Sequence, residues 1–220
     1  MHRTQLLRTL VCLVVLALVA SAIDPHDRTT WLLEILPAAI LLPALIYSHQ
    51  RFPLSSLLYL LLAVQALGLI AGGHYSFARV PLGFWLQDWL ELSRNPYDRI
   101  GHFLQGVVPA LIARELLVRK DRIHGRHLLP FVCVCMAMTL SAVYELVEWA
   151  AALALGQGAE EFLGMQGDQW DTQADMFCAL LGALTAMTLL VRLHDRSMAA
   201  INQPNRRQTD VRGEAASKFN

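Results

Sequence analysis

Apolar residues run through this chain in six long stretches, roughly 6–23, 30–48, 54–72, 98–118, 128–155 and 170–193, separated by short polar or aromatic breaks. Each is close to the ~20 residues that carry a helix across a hydrocarbon core. A backbone in lipid must satisfy its own hydrogen bonds, which selects helices, and no segment shows the ten-residue alternation of a transmembrane barrel. The pattern predicts an all-α, polytopic transmembrane bundle of six spans over residues 1–201. The polar, basic remainder, 202–220, lacks the apolar surface to order itself and is predicted to be disordered.

Composition supports the membrane reading. The 220 residues are 55% hydrophobic and 16% charged, more apolar and less charged than a typical soluble domain, and the mean hydropathy is +0.40. Net charge is zero, but the 18 basic residues are unevenly placed. With both termini cytoplasmic, only Arg28, Arg79, Arg94 and Arg99 lie on the outer side. That asymmetry is what orients inner-membrane proteins, and it accounts for the basic groups without nucleic-acid binding. Arg3 and Arg8 followed by Ala20-Ser21-Ala22 resemble a secretion signal. The apolar stretch between them is long for one, so it is read as an uncleaved first span. Pro37 and Pro43 predict a kinked second span. The outer connection, 73–97, carries Trp85, Trp89 and Leu90 beside Asp88 and Glu91, the composition of a helix lying in the membrane interface. Trp31, Trp149 and Trp170 fall near the same boundary, as in an aromatic belt. Cys12, Cys133, Cys135 and Cys178 lack metal-type spacing and read as small apolar residues of the bundle.

Ionisable groups inside these stretches are the chemical signal, because they are costly in a bilayer and normally face a protein interior or a wet cavity. Asp98 and His102 open the fourth stretch, four apart on one helical face. Glu145 and Glu148, beside Tyr144, lie in the outer half of the fifth, and Asp168, Asp171 and Asp175 lead into the sixth. The alternating direction of the helices brings all of these to the same side at similar depth. His74 ends the third stretch near that level, while Glu34 sits close enough to the interface to be solvated.

Close carboxylates in low dielectric repel one another, and a cation relieves the conflict. The predicted metal ligands are His102, Glu145, Glu148, Asp171 and Asp175, with His74, Asp98 and Asp168 in support. Imidazole with carboxylates suits Zn²⁺, Mn²⁺ or Fe²⁺. The opposing reading makes Asp98, Asp168 and Asp171 helix caps and pairs Glu145 or Glu148 with Arg99 or His102 as structural glue.

The blocks Gly72-Gly73-His74-Tyr75, Tyr97-Asp98-Arg99-Ile100-Gly101-His102-Phe103, Tyr144-Glu145-Leu146-Val147-Glu148-Trp149 and Gln166-Gly167-Asp168-Gln169-Trp170-Asp171-Thr172-Gln173-Ala174-Asp175-Met176 resemble the YjdF-type family of bacterial inner-membrane proteins. The resemblance implies a polytopic inner-membrane protein and no assigned reaction. A looser likeness to VanZ-like membrane proteins rests on Asp98, His102, Glu145, Asp171 and Gly182. It departs where Asp175 stands for Asn and Glu148 for Gln, and implies a cell-envelope role.

Three functions compete. The first is metal-dependent chemistry on an amphiphile such as a phospholipid or polyprenyl carrier, with Glu145, Glu148 or Asp171 as the acid or base. The second is proton- or cation-coupled transport, weakened because the acids cluster on one side with no matching acids in the inner half. The third is a structural or accessory role. No G-x-S-x-G element or P-loop is present, which argues against a serine hydrolase of that type and against a P-loop nucleotidase.

Overall fold

The computed structural model describes residues 3–156 and 164–201, and all regular structure among them is helical. In chain order the elements are α1 (Arg3–Ser21), α2 (Arg28–Ser48), α3 (Ser56–Tyr75), a 3₁₀ turn (Phe77–Arg79), α4 (Pro81–Trp89), α5 (Tyr97–Arg119) and α6 (Leu128–Leu155). Then α7 (Asp171–Thr185) passes through a π-helical turn (Ala186–Leu190) into α8 (Val191–Ala199). Six helical segments are long and apolar enough to span, the last being Asp171–Ala199. It outruns the expected end at 193 because the helix absorbs Arg192, His194, Asp195 and Arg196, whose charges read as a terminus in sequence. The tail 202–220 lies outside the described residues.

Leu16, Val19, Ile40, Leu153 and Leu189 are 63–74% exposed on span surfaces, which lipid must cover in place of water. The core is built around α5. It packs on α3, α6 and α7, while α1 and α2 both pack on α3. Leu58, Leu62, Val107, Val108 and Leu111 fill the centre with Ala137, Ala183 and Ala186. Between α5 and α7 the backbones meet closely. A Cβ at Gly106 would overlap the Ala179 carbonyl, and one at Gly182 the Phe103 carbonyl. Small residues at such seams allow dispersion contacts to hold membrane helices together where no hydrophobic effect drives them.

Hydrogen bonds define the two ends of the bundle. His49 meets Tyr59, Ser55 meets Glu115 and Leu57 meets Ser197 at one end. At the other, His74 meets Ser21, Glu34 meets Tyr144, and Arg94 meets Asp171. All five Trp residues belong to this second end, and Trp85 and Trp89 of α4 stack at 6.0 Å while 62% and 69% exposed. The helix expected within the 73–97 connection is therefore present. α2 remains helical through both Pro37 and Pro43, and the four cysteines are free.

Asp27 caps α2, accepting from Thr30 N at 2.7 Å, and that backbone donor lowers the Asp27 pKa from its ordinary value. A depressed carboxylate contributes stability above its unfolded pKa and loses it as pH falls through the folded value. Asp27→Ala should cost about 1 kcal/mol at neutral pH, typical of a lost cap. The difference from wild type should shrink in acid, as read from thermal unfolding at pH 7 and pH 3.

Candidate functional site

Three helices deliver the acidic groups. The four-residue spacing on α5 stacks Asp98 over His102, with Oδ1 and Nε2 3.6 Å apart. From α6, Glu145 Oε1 approaches the other ring nitrogen, His102 Nδ1, at 3.5 Å. Donor atoms of Asp98, His102 and Asp175 lie within 4.8 Å of one another, and so do those of His102, Glu145 and Glu148. The imidazole is common to both groups. Asp98, His102, Glu145 and Asp175 are buried, and Glu148 is partly buried.

The donors fit an ion in size. With bonds of about 2.1 Å, tetrahedral neighbours lie about 3.4 Å apart and opposed ligands about 4.2 Å apart. The observed 3.6 Å separation at His102 Nε2 and 3.5 Å separation at His102 Nδ1 match the first figure, one for each donor group. Buried polar atoms are nearly always bonded, and exceptions call for an ion or water. Here His102 Nδ1, Glu145 Oε1 and Asp175 Oδ1 are buried without hydrogen-bond partners.

The remaining sequence candidates take other positions. Asp171 is held by Arg94, which also reaches Asp168 at 3.4 Å and the Met165 carbonyl at 3.1 Å. Asp168 pairs with Arg99 at 2.8 Å and accepts from Trp170 N. These two acids thus form an arginine-bridged rim above the His102 groups. His74 turns away, its ring nitrogen 3.0 Å from the Ser21 carbonyl oxygen. Arg99, weighed as a partner for Glu145 or Glu148, is paired with Asp168 instead.

One expectation is overturned outright. Glu34 is only 2% exposed and accepts from the Tyr144 hydroxyl at 3.2 Å. The cause is the Gly72-Gly73 pair. Gly73 leaves room for α2, its virtual Cβ only 3.1 Å from the Glu34 Cβ, and Gly72 accommodates the Phe77 ring. α2 therefore sits close enough for Glu34 to point inward. With Gln65, Gln105, Asp98, His102, Tyr144 and Glu148, it lines a chamber of about 460 Å³ of empty space.

Segment 164–170 covers the rim. Gln166 accepts from Asn95 N and donates to its carbonyl, both at 3.0 Å, and a Cβ on Gly164 would stand 3.4 Å from Asp98. Asn95 in turn donates to the Val80 carbonyl and accepts from Tyr97 N. The Gln-Gly-Asp run thus locks the α5 and α7 starts together. Its positive-φ residues Gln166 and Gly167 make the required turn.

A second polar cluster corrects the expectation that the inner half holds no acids. Glu115 and His194 are both 0% exposed near the opposite end, with Oε2 and Nε2 2.9 Å apart. Glu115 Oε1 accepts from Ser55 N at 2.8 Å and from Arg119 at 2.7 Å. Flanked by Arg114 and followed by Arg119, Glu115 carries no sequence signal of burial. The π turn in α7–α8 resets the helical register ahead of His194, and such turns often mark functional positions. Glu115→Ala should destabilise the protein by about 3–5 kcal/mol, because it strands buried His194 and the buried Ser55 N–H. The double change Glu115→Leu with His194→Leu should cost much less, a comparison that thermal unfolding in detergent makes directly.

Comparison with known proteins places the chain. A family model described as "Predicted membrane protein (DUF2238)" matches residues 6–196. The inner membrane protein YjdF of Escherichia coli (strain K12) is 53% identical over 193 residues, covering 88% of this chain and 92% of that protein. No solved structure matches. Six spans and this relative make the chain a multi-pass inner-membrane protein, and it belongs to the DUF2238 family of predicted membrane proteins.

Proposed function

We propose that the donor groups around His102, at the wall of the chamber, bind a divalent metal ion and use it for chemistry on a membrane amphiphile carrying a phosphate. Asp175 Oδ1, buried with no hydrogen-bond partner, and the facing atoms His102 Nδ1 and Glu145 Oε1, 3.5 Å apart with no hydrogen bond between them, carry this reading. His102 holds the ion together with Asp98 and Asp175 or with Glu145 and Glu148. One imidazole with carboxylates suits Zn²⁺, Mn²⁺ or Fe²⁺ better than Mg²⁺ or Ca²⁺. Such an ion polarises a phosphoryl oxygen and generates hydroxide from water near neutral pH. The acids not bound to metal move the proton. The excess of Lys and Arg at the opposite end supports a chamber that faces outward.

Metal content of the detergent-purified protein tests the reading, with wild type expected to hold a stoichiometric transition metal. A wild type that stays metal-free after loading with Zn²⁺, Mn²⁺ and Fe²⁺ sinks it. The second reading, cation-coupled transport, draws support from Glu115 and His194, which supply the inner-half groups a relay needs. It predicts pH-gradient-driven cation flux in proteoliposomes, which the enzyme reading does not.

A further inference from the structure

Beyond the chamber, an apolar groove of about 770 Å³ of empty space runs between α2 and α6, floored by α3 and α5. It adjoins the chamber, since Pro37, Gln65 and Leu69 line both. Its floor extends along α5 to Leu116. From Gln105 in the chamber to Leu116 is about 16 Å of helix, close to one leaflet of hydrocarbon, about 15 Å. Leu41, Met136 and Leu140 on its edges are 42–53% exposed, so the groove opens sideways to lipid.

A polar chamber walled by Asp98, His102 and Glu148 and adjoining a one-leaflet apolar groove has the shape of a membrane lipid. We propose that the groove holds one acyl chain of a glycerophospholipid whose phosphate lies in the chamber. Gln65 stands at the junction, where its amide donates to the ester carbonyl linking head to chain. The second chain stays in the bilayer. A polyprenyl carrier fits less well, because its chain is far longer than a groove that ends at Leu116. This assignment rests on the metal reading, since bare carboxylates would repel the phosphate.

The test uses metal-loaded, full-length protein in nanodiscs containing phosphatidylethanolamine with a photoactivatable acyl chain. Cross-links should concentrate on Leu41, Ile112 and Met136. Ile112→Trp, which fills the groove away from the chamber, should cut them by at least about tenfold while metal content stays at the wild-type level. Gln65→Leu should weaken labelling and Gln65→Glu should not restore it, because only the amide donates. Labelling spread evenly over all lipid-facing helices overturns the groove, as does equal labelling by the matching diacylglycerol probe, which lacks phosphate. Displacement of the label by polyprenyl phosphate but not by unlabelled phospholipid overturns the choice of lipid. Metal content measured on the same samples separates these failures from failure of the metal site itself.

Discussion

Gly106→Val is expected to abolish the folded bundle, and Gly106→Ala to destabilise it by more than about 3 kcal/mol, beyond the usual cost of overpacking. The reason is geometric. A Cβ at Gly106 meets a carbonyl and Cα of Ala179, which are backbone atoms and cannot rotate away. Relief requires α5 and α7 to separate, and these helices carry Asp98, His102 and Asp175 of one donor group. Gly182→Ala should behave alike against the Phe103 carbonyl, since the two glycines form one seam. Gly68→Ala is the control. Its Cβ would find nothing closer than 3.9 Å, and replacing a helical glycine gains up to about 1 kcal/mol of propensity. Thermal unfolding in detergent should rank Gly68→Ala at or above wild type, with both seam variants far below.

His102→Ala should weaken metal binding far more than any single acid variant. Both donor groups use the imidazole, while Asp175 belongs to one and Glu148 to the other. Asp175→Asn leaves His102, Glu145 and Glu148 available, and Glu148→Gln leaves Asp98, His102 and Asp175. Affinity should fall more than about 100-fold for His102→Ala and about 10-fold for each acid change, on the scale that metal-site substitutions span. Chelator competition reads the dissociation constants. A structural network would give the reverse emphasis, with unfolding temperatures moving and no metal to lose.

Most of the fold was legible because lipid imposes a simple rule. An apolar run long enough to cross must be a helix, and all six runs are helical in the structure. The four- and three-residue spacings of Asp98 with His102 and of Glu145 with Glu148 likewise declare which residues share a helical face. What sequence did not reveal depends on which helices touch. Glu34 looked solvated because its burial needs the Gly72-Gly73 approach of α2. The pairing of Glu115 went unseen because its partner His194 is 79 residues away and turned inward after a π turn. Asp171 and Asp175 share a helix face, yet only the structure shows that Arg94 holds Asp171 at the rim while Asp175 stands beside His102. His74, similar in depth to the others, is drawn to the Ser21 carbonyl by the turn joining α1 to α2.

The most direct measurement of the central claim is X-ray absorption at the metal edge of the Zn²⁺-loaded protein, compared with His102→Gln. The account predicts a first shell of nitrogen and oxygen at about 2.0–2.2 Å, with no sulfur. It also predicts outer-shell scattering from one imidazole, which His102→Gln removes. A sulfur-containing shell, imidazole scattering that survives the substitution, or a protein that retains no zinc would contradict it.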